Sequence, residues 1–367
     1  MLLGIDASRA IADRPTGTEI YSRSLIQALL ARDSLHHFRL YFRQPPPPDL
    51  FRSAELRTIP FPRLWTHLRL AWEVTQHPPD ALFVPAHVLP SIHPCPSLVT
   101  IHDLGYLHFP KSHPWQQRLY LDLSTRWNAQ TATHLLADSQ ATKVDLVTRY
   151  GVAASKITVA YPGVDRSLGP VHDDAAIQAA KARYGISGDY FLYMGTLQPR
   201  KNLSRLLEAF AEFATRHASP KIQLVLAGKR GWLYTDLFKR VGPRGLEGRV
   251  RFPGYVAEED KAALLSGALA FLFPSLHEGF GFPVLEAQAC GCPVITSTTS
   301  SLPEVAGDGA LLVDPEDTAA ITDAMQRMAT DPTLCDELTE RGFANVGRFS
   351  WEACAETVLT AIDSHLC

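Results

Sequence analysis

The chain has 367 residues, 46% of them hydrophobic and 20% charged, which excludes a disordered or fibrous protein and exceeds one ordinary core, so two domains are expected. The formal net charge of −3 is unevenly spread, with 17 Lys/Arg against 13 Asp/Glu in residues 1–168 and 18 against 25 in the remainder. A mildly basic first half is ordinarily a solvated face; it also suits an anionic acceptor or a membrane surface, and nucleic acid is not expected as a partner.

Six cysteines show no disulfide framework and no paired Cys-x2-Cys spacing, which fits the reducing cytosol. Met1–Asp6 lacks a basic start and a long apolar stretch, so it reads as a strand and not a signal peptide. No apolar run reaches the roughly 18 residues that crossing a bilayer requires, and a cytoplasmic protein, with at most peripheral contact with the inner face of a membrane, is expected.

Along the chain, apolar runs alternate with glycine-containing loops. Leu2–Ile5 ends at Asp6 and a polar loop holding Pro15, Thr16, Gly17 and Thr18, after which Ile20, Tyr21, Ser24, Leu25, Ala28 and Leu29 recur at helical spacing. Strand, loop and helix in this order open a nucleotide-binding type of half-fold. Thr16-x-x-Glu19 fits a capping box, which makes Glu19 structural, whereas Gly17 ahead of a helix lets backbone N–H groups approach a phosphate.

Further strands are expected at Phe38–Phe42, Leu56–Ile59, Ala81–Val84 and Leu98–Ile101, with Pro45–Pro48 a stiff surface connection. Leu64–Val74 reads as a helix with Leu64, Leu68, Ala71 and Trp72 on one face. A packed helix is the plain reading; a helix facing a membrane or an acceptor, beside Arg63 and Arg69, is the sharper one. Leu98–Ile101 runs into His102-Asp103. Polar residues at the carboxyl end of a buried strand sit where open α/β sheets bind ligands, so His102 is a candidate functional residue, and no second ligand at a suitable spacing points to a metal. Leu135–Ala137, a cap at Asp138-Ser139, a helix over Thr142–Tyr150, the strand Ile157–Ala160 and a turn at Pro162-Gly163 complete this half. The polar stretch Arg166–Asp174 marks the boundary.

The same alternation then restarts. Tyr190–Met194 reads as a strand, and Gly195-Thr-Leu-Gln-Pro-Arg200-Lys201-Asn202 leads to a helix with Leu203, Leu206, Leu207, Phe210 and Ala214 on one face, capped by Asn202. Two cations just before a helix start oppose the dipole preference, and an anion held between Arg200 and Lys201 resolves the conflict, which points to phosphate. Ile222–Ala227 ends at Gly228-Lys-Arg-Gly231 and Val250–Phe252 at Gly254, each a ligand-facing strand end or a plain turn. Ala268–Phe273 breaks at Pro274 into a loop with Glu278, Gly279, Phe280 and Gly281, and Pro283 opens a helix whose first turn holds Glu286. Glycines there admit close backbone approach, and the helix start offers N–H groups to an anion. Pro293–Thr296 and Leu311–Val313 read as strands around a Ser/Thr-rich loop, and Ala319–Met328, Leu334–Val346 and Trp351–Ile362 as helices.

Glu278 and Glu286, with Gly195–Asn202 and Gly228-Lys-Arg-Gly-Trp232 in the same order, resemble retaining glycosyltransferases of family 4, in particular bacterial mannosyltransferase-like group 1 enzymes. The resemblance implies an α/β chain of the GT-B fold, two facing Rossmann-like domains with parallel sheets and an interdomain cleft. It implies an acceptor-binding domain over 1–168, on which 351–367 packs back, and a nucleotide-sugar-binding domain over 169–350. The implied reaction moves a hexose, mannose from GDP-mannose favoured, to a hydroxyl of a glycan or lipid-linked glycan, with retention and without a metal or other cofactor. Arg200 and Lys201 would hold the diphosphate and Glu286 the ribose; Glu278, Gly279, Phe280 and Gly281 would contact the donor sugar, with His102 near its C6 side. Gly17 matches the phosphate-side loop of the family, although many members carry two glycines where this chain has Thr16-Gly17-Thr18, and Gly228 belongs to the second nucleotide-side turn. A sugar-nucleotide epimerase of the same architecture and a noncatalytic sugar-nucleotide-binding subunit are the alternatives. An oxidoreductase is disfavoured because neither first βα turn carries Gly-x-Gly-x-x-Gly.

Overall fold

The computed structural model describes all residues except 13–15, 87, 111–113, 217–221, 230, 232–236 and 238–240. Pro15, and Arg230 and Trp232 of the Gly228 stretch, lie outside the described residues. The chain divides into two compact units: Met1–Gly163 with Phe349–Cys367, and Val164–Arg348.

The first unit is built on a seven-stranded sheet in the order β3-β2-β1-β4-β5-β6-β7. Its strands are β1 (Leu2–Asp6), β2 (His37–Phe42), β3 (Glu55–Thr58), β4 (Ala81–Val84), β5 (Ser97–Ile101), β6 (His134–Ala137) and β7 (Ile157–Val159). The second has six strands in the order β10-β9-β8-β11-β12-β13, namely β8 (Tyr190–Met194), β9 (Gln223–Ala227), β10 (Val250–Gly254), β11 (Ala270–Phe273), β12 (Val294–Ser297) and β13 (Ala310–Val313). Every pairing is parallel. Each apolar run read as a strand is one; β4, β6, β9 and β11 are buried along their whole length, as a parallel sheet covered on both faces asks, whereas the edge strand β3 is exposed throughout.

Strand order reverses beside β1 in the first sheet, between β1 and β4, and beside β8 in the second, between β8 and β11. The chain leaves these strands on opposite sides there, so a crevice opens beyond their carboxyl ends, where open α/β sheets bind ligands. The loop after β8 carries Arg200 and Lys201, and the loop after β11 carries Glu278.

Helix Trp351–His365 belongs to the first unit and lies against helix Gly17–Leu30. Arg32 Nη2 pairs with Glu356 at 2.6 Å, His36 with Asp363 at 2.9 Å, and the rings of His134 and His365 stack 3.8 Å apart. Gly163 is required for this packing, since a Cβ there would lie 2.2 Å from the backbone nitrogen of Trp351. The capping box at Thr16 and Glu19 is present.

One packing expectation is corrected. Leu64–Val74 is not a single α-helix with its apolar face inward: Trp65–Leu70 winds as a π-helix and Ala71–Gln76 continues as an α-helix. Trp65, Leu70, Ala71 and Val74 are the buried apolar residues, anchored by Trp65 Nε1 donating to the Ile59 carbonyl at 2.8 Å, while Leu64, Leu68 and Trp72 are exposed by 66, 53 and 61%. The wider π winding rotates the stripe relative to a 3.6-residue repeat. Helix Trp115–Thr131 has no counterpart in the sequence reading. Trp115, Leu119 and Leu123 face solvent, while its inner side mixes buried Thr125 and Asn128 with Leu121, Trp127 and Ala129 packed on the core, so no clean apolar stripe makes the helix legible.

Candidate functional site

At the switch point of the second sheet, the loops after β8 and β11 are locked together. Leu276 N donates to the Arg200 carbonyl at 2.9 Å, and Ser275 Oγ lies 3.2 Å from the same oxygen. Asn202 adopts a left-handed φ of 61° ahead of helix Leu203–Arg216, and its side-chain nitrogen donates to the Pro274 and Pro315 carbonyls at 3.1 and 2.6 Å. That geometry turns the short 3₁₀ segment Pro199–Lys201 so that both basic side chains reach Glu278.

Lys201 Nζ and Ser275 Oγ each donate to Glu278 Oε1 at 2.5 Å, and Arg200 Nη1 lies 3.4 Å from Oε2. Arg200 Nη1 also donates to the His277 carbonyl, and Lys201 stands 5.1 Å from the centre of the Phe273 ring. All three charged side chains are nearly buried, at 13, 11 and 9% side-chain exposure for Arg200, Lys201 and Glu278. Burial favours the neutral acid at Glu278, but Lys201 and Arg200 outweigh it and hold the carboxyl below the ordinary glutamate range. The anion that the sequence required between Arg200 and Lys201 is, in the fold itself, the Glu278 carboxylate.

A Ser/Thr loop supports this turn. Ser301 Oγ donates to the Phe280 carbonyl at 2.6 Å and lies 3.0 Å from that of Glu278, Ser300 Oγ accepts from Glu278 N at 2.9 Å, and Thr299 Oγ1 donates to the Leu276 carbonyl at 3.2 Å. The sequence marked this loop only as Ser/Thr-rich. Gly281 has a φ of 117° and begins helix Phe282–Ala289; a Cβ there would sit 2.9 Å from Leu302 Cδ2, so only glycine fits. Phe280 is buried edge-on to Phe282, ring centres 5.1 Å apart.

Glu286 is in the second turn of that helix, not the first, because the helix begins at Phe282. It therefore owes little to the helix dipole. Its Oε1 pairs with Lys261 Nζ at 3.2 Å, and Lys261 also pairs with Glu258 at 2.8 Å. Burial raises the Glu286 carboxyl above the ordinary range, with Lys261 acting against it. Lys261 carried no sequence signal, since it lies on a different helix, Glu258–Ser266.

Gly228 has a φ of 139°, and a Cβ on it would fall 1.9 Å from the Gly195 carbonyl oxygen. The glycine is thus explained by the crossing of two strand-end loops, the plain reading of that turn. Gly17 is the first residue of its helix.

His102, in the first unit, follows β5, and Asp138 follows the neighbouring β6; the register pairs Ile101 with Ala137, so both residues stand one step beyond paired strand ends. Nδ1 of His102 is 2.6 Å from Asp138 Oδ2 and Nε2 is 2.9 Å from the Pro85 carbonyl, with the Tyr21 ring edge-on at 4.8 Å. The acid beside His102 in space is Asp138, whereas Asp103 Oδ1 accepts from Gly105 N at 3.1 Å. Burial disfavours the imidazolium, but Asp138 outweighs it and raises the pKa above the ordinary histidine value. Two strands ending in a polar residue at the same level was the available clue.

Residues 178–362 match the family described as glycosyl transferases group 1, and residues 15–168 that described as glycosyltransferase family 4. The O-antigen chain mannosyltransferase B of Escherichia coli is 32% identical over 266 residues, 72% of this chain and 69% of that protein. The serotype-specific mannosyltransferase WbdA of Escherichia coli is 28% identical over 233 residues, 63% of this chain and 28% of that larger protein. Among solved structures, Anabaena HepE in complex with UDP and glucose superimposes with a TM-score of 0.75 at 19% identity over 99% of each chain, and WaaG, a glycosyltransferase involved in lipopolysaccharide biosynthesis, with 0.74 at 17% over 99% of each. Two Rossmann-like parallel sheets with these neighbours constitute the GT-B fold.

Proposed function

Since the chain belongs to the group 1 glycosyltransferases, we propose that it transfers mannose from GDP-mannose to a hydroxyl of a glycan acceptor, with retention of anomeric configuration. The observation that carries this reading is the Arg200, Lys201 and Glu278 cluster at the β8/β11 switch point, together with the likeness to a mannosyltransferase.

The chemistry follows from charge. Breaking the bond between the anomeric carbon and the β-phosphate oxygen leaves a nucleoside diphosphate with growing negative charge, and fixed cations stabilise that charge most effectively in a partly dry site. On this proposal Arg200 and Lys201 exchange the Glu278 carboxylate for the diphosphate, and Glu278, no longer held by both cations, accepts from sugar hydroxyls beside Gly279, Phe280 and Gly281. Glu286 accepts from the ribose hydroxyls. By the family resemblance, His102 and the N–H groups at Gly17 are the first-unit groups assigned to the donor. The acceptor oxygen attacks from the face the diphosphate leaves, and its proton passes to a leaving phosphate oxygen. With two cations at the diphosphate, no divalent ion is needed.

Incubating the protein with GDP-mannose and a mannoside acceptor, with UDP-glucose in parallel, tests this. An α-mannosyl product formed at an unchanged rate in EDTA is expected; an inverted anomer, or turnover only with another donor, overturns it.

A further inference from the structure

Helix Glu258–Ser266 packs Ala263, Leu264 and Leu265 into the core of the second unit, and Lys261 on the same helix is itself mostly withdrawn from water, its side chain 14% exposed. Lysine is seldom buried without a partner. Here Nζ has two: it pairs with Glu286 Oε1 at 3.2 Å and with Glu258 Oε2 at 2.8 Å. The two acids are not equivalent, because the Glu258 side chain is 64% exposed and screened by water, whereas that of Glu286 is 18% exposed. The lysine therefore matters far more to Glu286 than to Glu258.

Replacing a buried ion pair by apolar side chains of like volume is commonly neutral or stabilising, so packing alone does not call for a lysine against a glutamate here. The pairing also engages one carboxylate oxygen only. Glu286 Oε2 has no hydrogen-bond partner among the described residues, and an ionised carboxylate can accept on both oxygens. The other ionisable groups around Glu286 are Glu258 on the helix of the lysine, Asp165 on the segment after β7, and the Cys290 thiol at the end of the helix that carries Glu286. Burial pushes that thiol up to about 12, so it stays neutral. Glu258 and Asp165 are acids that join burial in favouring a neutral Glu286, and Lys261 is the cation that opposes them.

We infer that Lys261 is a positioning residue of the nucleotide site: it holds Glu286 ionised and fixes Oε1, which leaves Oε2 to accept a hydroxyl hydrogen from the ribose. The inference rests on the proposed donor site and adds the residue that sets its dependence on pH. Without the lysine, burial and the two acids act on Glu286 unopposed, and its carboxyl titrates at a higher pH than in the parent. A neutral carboxyl is a weaker acceptor than a carboxylate, so this part of nucleotide binding is present above the Glu286 pKa and lost as pH falls through it.

Two measurements on the full chain test this. Calorimetry follows the binding of GDP-mannose, with UDP-glucose in parallel, from about pH 5.5 to about pH 8.5, and each variant is read as a ratio to the parent so that the titration of His102 cancels. Lys261→Met should weaken binding by about tenfold or more at the acid end, the loss of a charge-assisted hydrogen bond, and the deficit should shrink as pH rises. Lys261→Arg should restore binding, and in a Glu286→Gln background Lys261→Met should change it by less than about twofold, because the lysine acts through the glutamate. In ¹³C NMR without nucleotide, the Glu286 carboxyl signal, assigned by its loss in Glu286→Gln, should titrate at a higher pH in Lys261→Met than in the parent; Lys261→Gln gives the same comparison should the Met variant fail to fold. An unmoved Glu286 titration, a deficit independent of pH, or an undiminished further loss in the Glu286→Gln background means a structural ion pair only and overturns the inference. A parent that binds neither nucleotide sugar overturns the proposed function and this inference with it, whereas a parent matched by Lys261→Met at every pH overturns the inference alone.

Discussion

His102 and Asp138, at the ends of adjacent strands, are joined by a 2.6 Å contact between Nδ1 and Oδ2, and because the other ring nitrogen faces the Pro85 carbonyl, both nitrogens meet acceptors. A carbonyl cannot donate, so Nε2 carries a proton, and the carboxylate favours one on Nδ1 as well. In ¹⁵N NMR of the full chain, His102 should remain doubly protonated at a pH where ordinary histidines are neutral. Because its folded pKa is raised, its contribution to stability is complete below about pH 6.5, the unfolded value, and is lost as pH rises through the folded one. Asp138→Asn should drop the His102 pKa, since burial remains without the counter-charge; an unmoved titration refutes the pairing.

Glu278 is the shared partner of Arg200 and Lys201. Glu278→Gln should destabilise the protein by about 3–5 kcal/mol, the usual cost of removing one side of a buried ion pair. GDP should restore more stability to this variant than it adds to the parent, because the diphosphate supplies the lost negative charge. Denaturant titration with and without GDP reads both, and a loss below about 0.5 kcal/mol contradicts the assigned electrostatics. The depressed pKa sets the pH window: the contribution is present above about pH 4.3 and disappears as pH falls through the folded value.

Glu286 should separate from Glu278 in its effects. Its partner Lys261 keeps Glu258 at 2.8 Å, so Glu286→Gln should cost little stability. If the carboxylate holds the ribose, KM for the nucleotide sugar should rise by about tenfold, or 1.4 kcal/mol, with kcat less affected. A fall in kcat at constant KM would move Glu286 from binding to chemistry.

Two glycines with positive φ make a paired stability test. Gly228→Ala drives a Cβ to 1.9 Å from the Gly195 carbonyl oxygen, whereas Gly151→Ala, at a φ of 65°, meets nothing within 4 Å. Thermal unfolding should show about 1 kcal/mol lost at Gly151, the left-handed penalty alone, and at least ~2 kcal/mol at Gly228, where overlap adds to it. Equal losses would mean that the loops at Gly195 and Gly228 relax freely.

The strands, their alternation with Gly-loops and the glutamate-bracketed turn were legible in the sequence because each depends on neighbours along the chain. A parallel sheet covered on both faces leaves apolar runs such as Ala81–Val84, and a tight turn leaves glycines such as Gly281. Arg200 and Lys201 were legible as a charge conflict, since two cations before a helix start need an anion. Only the tertiary structure decided which anion: Glu278 answers them from 77 positions away in the case of Lys201. The same holds for Asp138 at His102 and for Lys261 at Glu286, partners brought by sheet order and helix packing and unmarked by any local spacing. For Leu64–Trp72 the sequence offered both an inward and an outward face, because periodicity reports that a helix has an apolar face but not which way the fold turns it; helix Trp115–Thr131 escaped because its inner side mixes Thr125 and Asn128 with apolar residues.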